Sequence, residues 1–174
     1  MVTLIEGPDK CGKTTLAKQM AEQSYSEFVY LPSPIIRPLI FSSTLNDPFL
    51  FFADANNLWN KTHIETRDVI LDRDVLSMLA YQGFLLGAMD PIIILNLYKS
   101  VVYKDNIPDK IIYVINEPFA EYEKDDPFEK YGYRVIRDCY ERAIKLFELN
   151  FHDIPIERKE IPNVANWSFT PDCK

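Results

Sequence analysis

Two short stretches hold residue types suited to handling phosphate. Residues 7 to 14 read Gly-Pro-Asp-Lys-Cys-Gly-Lys-Thr, which satisfies G-x-x-x-x-G-K-[ST]. Gly7 and Gly12 allow backbone angles that let amide N–H groups approach an anion. A helix opening at Lys13 adds its unpaired N–H groups and the positive end of its dipole. The Lys13 ammonium suits β- and γ-phosphates, and the Thr14 hydroxyl suits Mg²⁺. The pattern arises by chance in fewer than about one chain of this length in a hundred. The bland alternative, a tight turn beside a solvated lysine, gives no reason for its place between an apolar run and a helical one. This chemistry is the binding of a nucleoside triphosphate.

The second stretch is Val69-Ile70-Leu71-Asp72-Arg73-Asp74. A carboxylate ending an apolar strand is placed to hold Mg²⁺, directly or through water, beside a phosphate loop. The following arginine offers a planar cation for a transferring phosphoryl group. A strand-end Asp–Arg salt bridge would be the ordinary reading without the loop; with it, the functional reading is preferred.

Other reactive side chains carry less. Cys11, Cys139 and Cys173 form no C-x-x-C pair, so they give neither a disulfide framework nor zinc spacing. Cys11 sits inside the phosphate loop, where a helix terminus favours a thiolate, although space filling accounts for it as well. His63 and His152 have no partner at metal-ligand spacing. The acidic run from Glu121 to Asp126 reads as a solvated lid, and Lys124 within it as a solvated lysine.

The elements that must position these residues alternate between short strands and longer helices. Val2–Glu6, Phe28–Leu31, Val69–Asp72, Ile111–Ile115 and Ile154–Ile156 read as strands. Helices are expected over Lys13–Gln23, Ile35–Thr44, Pro48–Ile64, Val75–Leu86, Pro91–Tyr103 and Phe128–Leu149. Strands separated by helices imply an α/β fold: a parallel five-stranded sheet with helices on both faces, in three layers. No repeat or Gly/Ser linker divides the 174 residues, so one domain is expected over 1–174, with a short lid near 118–134.

Composition narrows the partners. The chain has 26 acidic and 19 basic side chains, a net charge of −7, which disfavours polymeric nucleic acid as a partner. The N-terminal run Met1–Glu6 lacks a basic segment and meets an acid early, unlike a secretory signal. No stretch approaches the roughly 18 apolar residues of a membrane span. A reducing, cytoplasmic setting is the expectation.

Several motifs in order resemble the thymidylate kinase family. They are Ile5-Glu6-Gly7-x-Asp9-x-x-Gly12-Lys13-Thr14-Thr15, then Asp72-Arg73-x-x-x-Ser77-x-x-Ala80-Tyr81-Gln82-Gly83. Pro108-Asp109-Lys110-Ile111-Ile112-Tyr113 and Asp126-x-Phe128-Glu129 follow, so the resemblance spans roughly residues 2 to 150. It implies a P-loop fold and transfer of the γ-phosphoryl group of ATP to a deoxynucleoside 5′-monophosphate, foremost dTMP, with Mg²⁺ and in a homodimer. Carried over by position, Gly7, Asp9, Lys10, Cys11, Gly12, Lys13, Thr14 and Thr15 would hold the donor. Lys10, Lys13, Asp72 and Arg73 would be catalytic, and Thr14 and Asp72 would face the metal. Asp9 would also meet the acceptor's 3′-hydroxyl. Arg73, Ser77, Gln82, Phe51 (against the base) and Phe128 would complete the acceptor site. The lid segment 118–130 contains no arginine, so Lys10 stands for the phosphate-loop cation of the family's first pattern.

The acceptor side departs from the family. Leu50-Phe51-Phe52-Ala53-Asp54-Ala55 carries Ala55 where an arginine reads thymine, and Met78 stands where Asn or Thr is common. Pro32-Ser33-Pro34 lacks the phosphate-binding arginine, leaving Arg37 as its replacement. Asn56, Asn57 and Gln82 could supply amide contacts to a different base edge. A buried reader that loses its partner costs about 1–3 kcal/mol, so a lost reader points to a changed base. A kinase for a purine or modified pyrimidine nucleotide stays open, as does a non-catalytic ATP-binding module.

Overall fold

A parallel sheet assembles from runs of the chain that are far apart in sequence. The computed structural model describes residues 1–31, 51–53, 68–102, 107–118 and 131–162. Within them the strands are β1 (Val2–Glu6), β2 (Glu27–Tyr30), β3 (Val69–Asp72), β4 (Lys110–Val114) and β5 (Ile156–Lys159). Their order across the sheet is β2-β3-β1-β4-β5, and every pairing is parallel. The chain leaves β1 for one edge, fills in β3, then crosses β1 to build β4 and β5. That reversal opens a crevice at the carboxyl end of β1, the usual ligand position in such sheets.

Burial on both faces explains the continuous apolar strands. Val2 and Leu4, Val69 and Leu71, and Ile111 and Tyr113 face one core; Ile5, Ile70, Ile112 and Val114 face the other. Helix α1 (Lys13–Ser24) covers the second face with Leu16, Ala17 and Ala21. The first face is covered by α2, α3 and α4. Helix α2 begins as Val75–Met78 and continues π-wound through Leu79–Leu85; α3 is Pro91–Val101 and α4 is Gly132–Glu148. The layering is therefore α/β/α.

Each helix shows its cause in the sequence. In α4 the buried residues are Ile136, Cys139, Tyr140, Ala143, Ile144 and Phe147, one stripe at helical spacing. Burying each large side chain of this kind contributes roughly 1.5–3 kcal/mol. Asp90 caps α3 by accepting from the Ile92 amide at 2.7 Å, with Pro91 preset at the first position. Gly83 lets α2 and α3 approach, since a Cβ there would lie 3.0 Å from Pro91 Cγ.

Some boundaries move. The last strand lies at Ile156–Lys159, not Ile154–Ile156, because Ile156 pairs with Ile111 and the Ile111 amide donates to the Pro155 carbonyl. Its polar Ile-Glu-Arg-Lys sequence conceals a strand paired to β4. The expected helix from Val75 is not uniform, because its second half widens to i→i+5 bonding, as in Leu86 N–H to Tyr81 C=O at 2.9 Å. Helix α3 stops at Val101, where Val102 turns to extended backbone. Residues 51–53 are helical, while the rest of the expected helices 35–44 and 48–64, and the lid from 119 to 130, lie outside the described residues.

Candidate active site

The crevice is built by two turns, one after β1 and one after β3. In the first, Gly7 has φ 152° and Gly12 has φ 89°. A Cβ on Gly7 would lie 2.7 Å from the Val114 carbonyl oxygen, so the loop can only pass β4 without a side chain there. Lys10 holds φ 63° at mid-loop, a conformation costly for a residue with a Cβ and often found at functional sites. Gly12 then starts α1, its carbonyl accepting from the Leu16 amide at 3.0 Å. Thr15 follows in the first turn, half-buried.

Inside this loop Lys13 is folded back. It is 4% exposed, its ammonium donates to the Pro8 carbonyl at 3.1 Å, and it stands 3.6 Å from Asp9 Oδ1. Cys11 is fully buried, and desolvation pushes its thiol up despite the nearby Lys13 charge. It fills space between α1 and the sheet instead of presenting a thiolate.

Asp72, at the end of β3, lies across from Thr14. The Thr14 hydroxyl donates to its Oδ2, and its buried Oδ1 has no hydrogen-bond partner. Desolvation raises this carboxyl, opposed by the Lys13 charge and the Thr14 bond. A hydroxyl and a carboxylate with one orphaned oxygen, at a phosphate loop, are a donor set that fits a hydrated Mg²⁺. Among the described residues no group of three or more His, Cys, Asp or Glu side chains is placed to hold a metal.

Arg73 has φ 75° and is 8% exposed. Its guanidinium donates to Asp9 and, at 3.3 Å, to the Ser77 hydroxyl; Cζ lies 5.8 Å from the centre of the Tyr81 ring. Burial works against its charge, but Tyr140, Tyr81 and Glu6 around it more than compensate. Asp9 is the hub: its amide meets the Tyr81 hydroxyl at 3.2 Å, and that hydroxyl donates to Asp9 Oδ2 at 2.9 Å. The loop after β1 and the Asp-Arg turn after β3 are thus joined side chain to side chain.

Three residues beneath this surface have a task that the sequence does not assign, although Glu6 and Tyr81 stand within its motifs. Glu6, fully buried at the end of β1, accepts from the Asp74 amide at 2.7 Å, the Ser77 amide at 3.1 Å and the Ser77 hydroxyl at 2.6 Å. Tyr140 of α4 shares a 2.8 Å hydrogen bond with Ser77. Tyr81 bridges to Asp9 as above. The available signal was an acid closing an otherwise apolar strand directly before Gly7.

The acceptor expectations fare unevenly. Ser77 is 5% exposed, with its hydroxyl engaged by Glu6, Arg73 and Tyr140, which places it under the site. Phe51 is 2% exposed and edge-on to Phe52, 5.8 Å between centroids, within the core. Its apolar ring is buried against Phe52, whose own ring meets Tyr98 of α3. Gln82 is 1% exposed in the π-wound segment. Arg37, Ala55, Asn56, Asn57 and Phe128 lie outside the described residues.

On the β4 side, Asn116 grips the chain beyond β5. Its amide donates to the Ile161 carbonyl at 2.7 Å and accepts from the Ile161 N–H at 2.8 Å. The Tyr133 hydroxyl reaches the carbonyls of Ile115 and Asn116 at 3.0 and 2.9 Å.

No family model matches the sequence, and no curated protein is similar enough to count as a relative. Solved structures do match. The thymidylate kinase of Ehrlichia chaffeensis superposes with a TM-score of 0.63 at 23% identity, over 92% of this chain and 91% of that one. This chain has the thymidylate kinase fold. The thymidylate kinase of Candida albicans gives 0.58 at 18% identity, over 91% of this chain and 83% of that one. Identities this low establish the fold and leave function to the site.

Proposed function

We propose that the protein is a nucleoside monophosphate kinase that moves the γ-phosphoryl group of ATP to a deoxynucleoside 5′-monophosphate, with dTMP the foremost acceptor. One observation carries the reading: Arg73 of the Asp-Arg turn reaches Asp9 of the phosphate loop, beside Lys13 and the Thr14–Asp72 pair. A donor cradle with an acceptor-side arginine at its rim is what phosphoryl transfer needs, because the protein's work is alignment and charge neutralisation.

In this scheme the amides from Gly7 to Thr15 wrap the donor phosphates, and Lys13 leaves the Pro8 carbonyl to meet them. Lys10 places a second cation over the transferred group. Thr14 and Asp72 would hold Mg²⁺, which when bound supplies charge neutralisation at the β- and γ-oxygens. Arg73 exchanges Asp9 for the acceptor phosphate, and the freed Asp9 carboxylate can accept from a sugar hydroxyl. One domain over 1–174, acting as a homodimer in the cytoplasm, accompanies the reading.

A second acceptor class is favoured by one residue. Ala55 stands where the resembled family carries its thymine-reading arginine, which supports a different base, purine or modified pyrimidine. The Candida albicans neighbour is a thymidylate kinase of broad substrate specificity, which supports testing more than one acceptor. The test is ADP formation with a panel of deoxy- and ribonucleoside monophosphates. Turnover above ATP alone with at least one of them is expected. A flat panel, with ATP still bound, would replace the enzyme with a nucleotide-binding module.

A further inference from the structure

We infer that Glu6 is a positioning residue that sets the aim of Arg73 from beneath the site. The inference rests on the kinase reading above and concerns how its acceptor cation is held. Arg73 occupies a left-handed backbone conformation, φ 75°, and such a turn persists only where surroundings over-determine it. Asp74 starts α2 without a side-chain cap, so the first amides of that helix need another acceptor.

Glu6 supplies it from a different element. One oxygen takes the Asp74 and Ser77 amides at 2.7 and 3.1 Å, and the other takes the Ser77 hydroxyl at 2.6 Å. The residues it binds therefore fix the chain directly after the strained Arg73, and Ser77 passes the constraint on to the Arg73 guanidinium. Tyr140 backs Ser77 from α4, 2.8 Å away. Glu6 is also the residue immediately before Gly7, so the same side chain ties the start of the donor loop to the acceptor turn. Its carboxylate is fully buried and bonds Asp74 and Ser77, so it acts through Ser77 and Arg73.

The test compares E6A, E6Q and R73A with the double variant E6Q/R73A, using ATP and the best monophosphate from the panel. Glutamine keeps an oxygen for the two amides but loses the charge and brings an N–H₂ to Ser77. E6Q should lower kcat/KM for the monophosphate by about tenfold, and E6A by about a hundredfold, the range for charged hydrogen bonds. The KM for ATP should stay within about twofold. On the R73A background the E6Q effect should vanish, because the group it aims is gone. The inference is overturned if ATP and monophosphate parameters fall together, or if E6Q costs as much without Arg73. Should no monophosphate support turnover, the kinase reading fails by itself. Glu6 is then judged by the Arg73 Nε–H NMR signal, where faster exchange with water in E6Q supports the inference and an unchanged signal defeats it.

Discussion

Glu6 and Asp74 are buried carboxyl groups side by side, and their surroundings divide one charge between them unequally. Desolvation raises the Glu6 carboxyl, but two amides, a hydroxyl and the nearby Arg73 all favour its anion and oppose that rise. Asp74 has an orphaned Oδ1 and faces Glu6, with only the Tyr98 hydroxyl and the Val75 amide favouring its anion. Desolvation first, and the Glu6 charge second, hold the Asp74 carboxyl well above its usual range. Of the pair, Asp74 therefore holds its proton the more tightly. The sign follows from linkage. The folded state binds this proton more tightly than the unfolded chain, so the group favours folding fully below its unfolded value. That contribution is lost as pH rises towards the folded value. Asp74→Asn keeps the shape without the acid, so its advantage over wild type should grow from pH 5 to pH 8. Melting temperatures of both proteins across that range check this; a constant offset would mean that Asp74 is charged in the folded state.

At the scale of elements, the phosphate loop, β3 and the amphipathic stripe of α4 were legible in the sequence because each is a local pattern. Strand β5 was not read correctly, since Ile-Glu-Arg-Lys owes its place to pairing with β4 and not to its own apolar content. The π-wound half of α2 was equally hidden: Leu-Ala-Tyr-Gln-Gly-Phe-Leu has ordinary helical character, and the wider turn is a matter of packing. Site residues divide in the same way. Lys13, Asp72 and Arg73 announce themselves by motif, whereas the tasks of Glu6, Tyr81 and Tyr140 exist only once β1, α2 and α4 converge. Gly83 belongs to this level too. It was met as part of a motif, but its lack of a side chain is what allows α2 to lie on Pro91 of α3. Gly83→Val would push two methyl groups into a gap already at 3.0 Å from Pro91 Cγ, and such overpacking costs about 1–3 kcal/mol. Chemical denaturation should show the midpoint falling with the slope unchanged. An unaltered midpoint would mean that the two helices have room to part.

For the whole molecule the difficulty is charge. A chain of net charge −7 is proposed to bind two anions, so long-range attraction cannot gather them and the site must do so at contact range. The means are fixed dipoles and a few buried cations: the loop amides, the start of α1, Lys13 and Arg73, the last two 4% and 8% exposed. In the free protein these cations lean on Asp9 and the Pro8 carbonyl, partners that a phosphate can replace. Ligand and fold are then linked, because the unfolded chain has no such cradle. At a ligand concentration of about 100 Kd the stabilisation is about 2.7 kcal/mol. In a chain of this size that corresponds to a rise in Tm of about 5–10 °C. ATP with Mg²⁺ should give a shift of this order. Chelating the metal should shrink it, since Asp72 would then face the phosphates without a cation between them. Lys13→Ala should abolish most of it while leaving the ligand-free Tm near or above that of wild type, because a buried ammonium is removed. A full shift in Lys13→Ala would place the nucleotide somewhere other than the loop after β1.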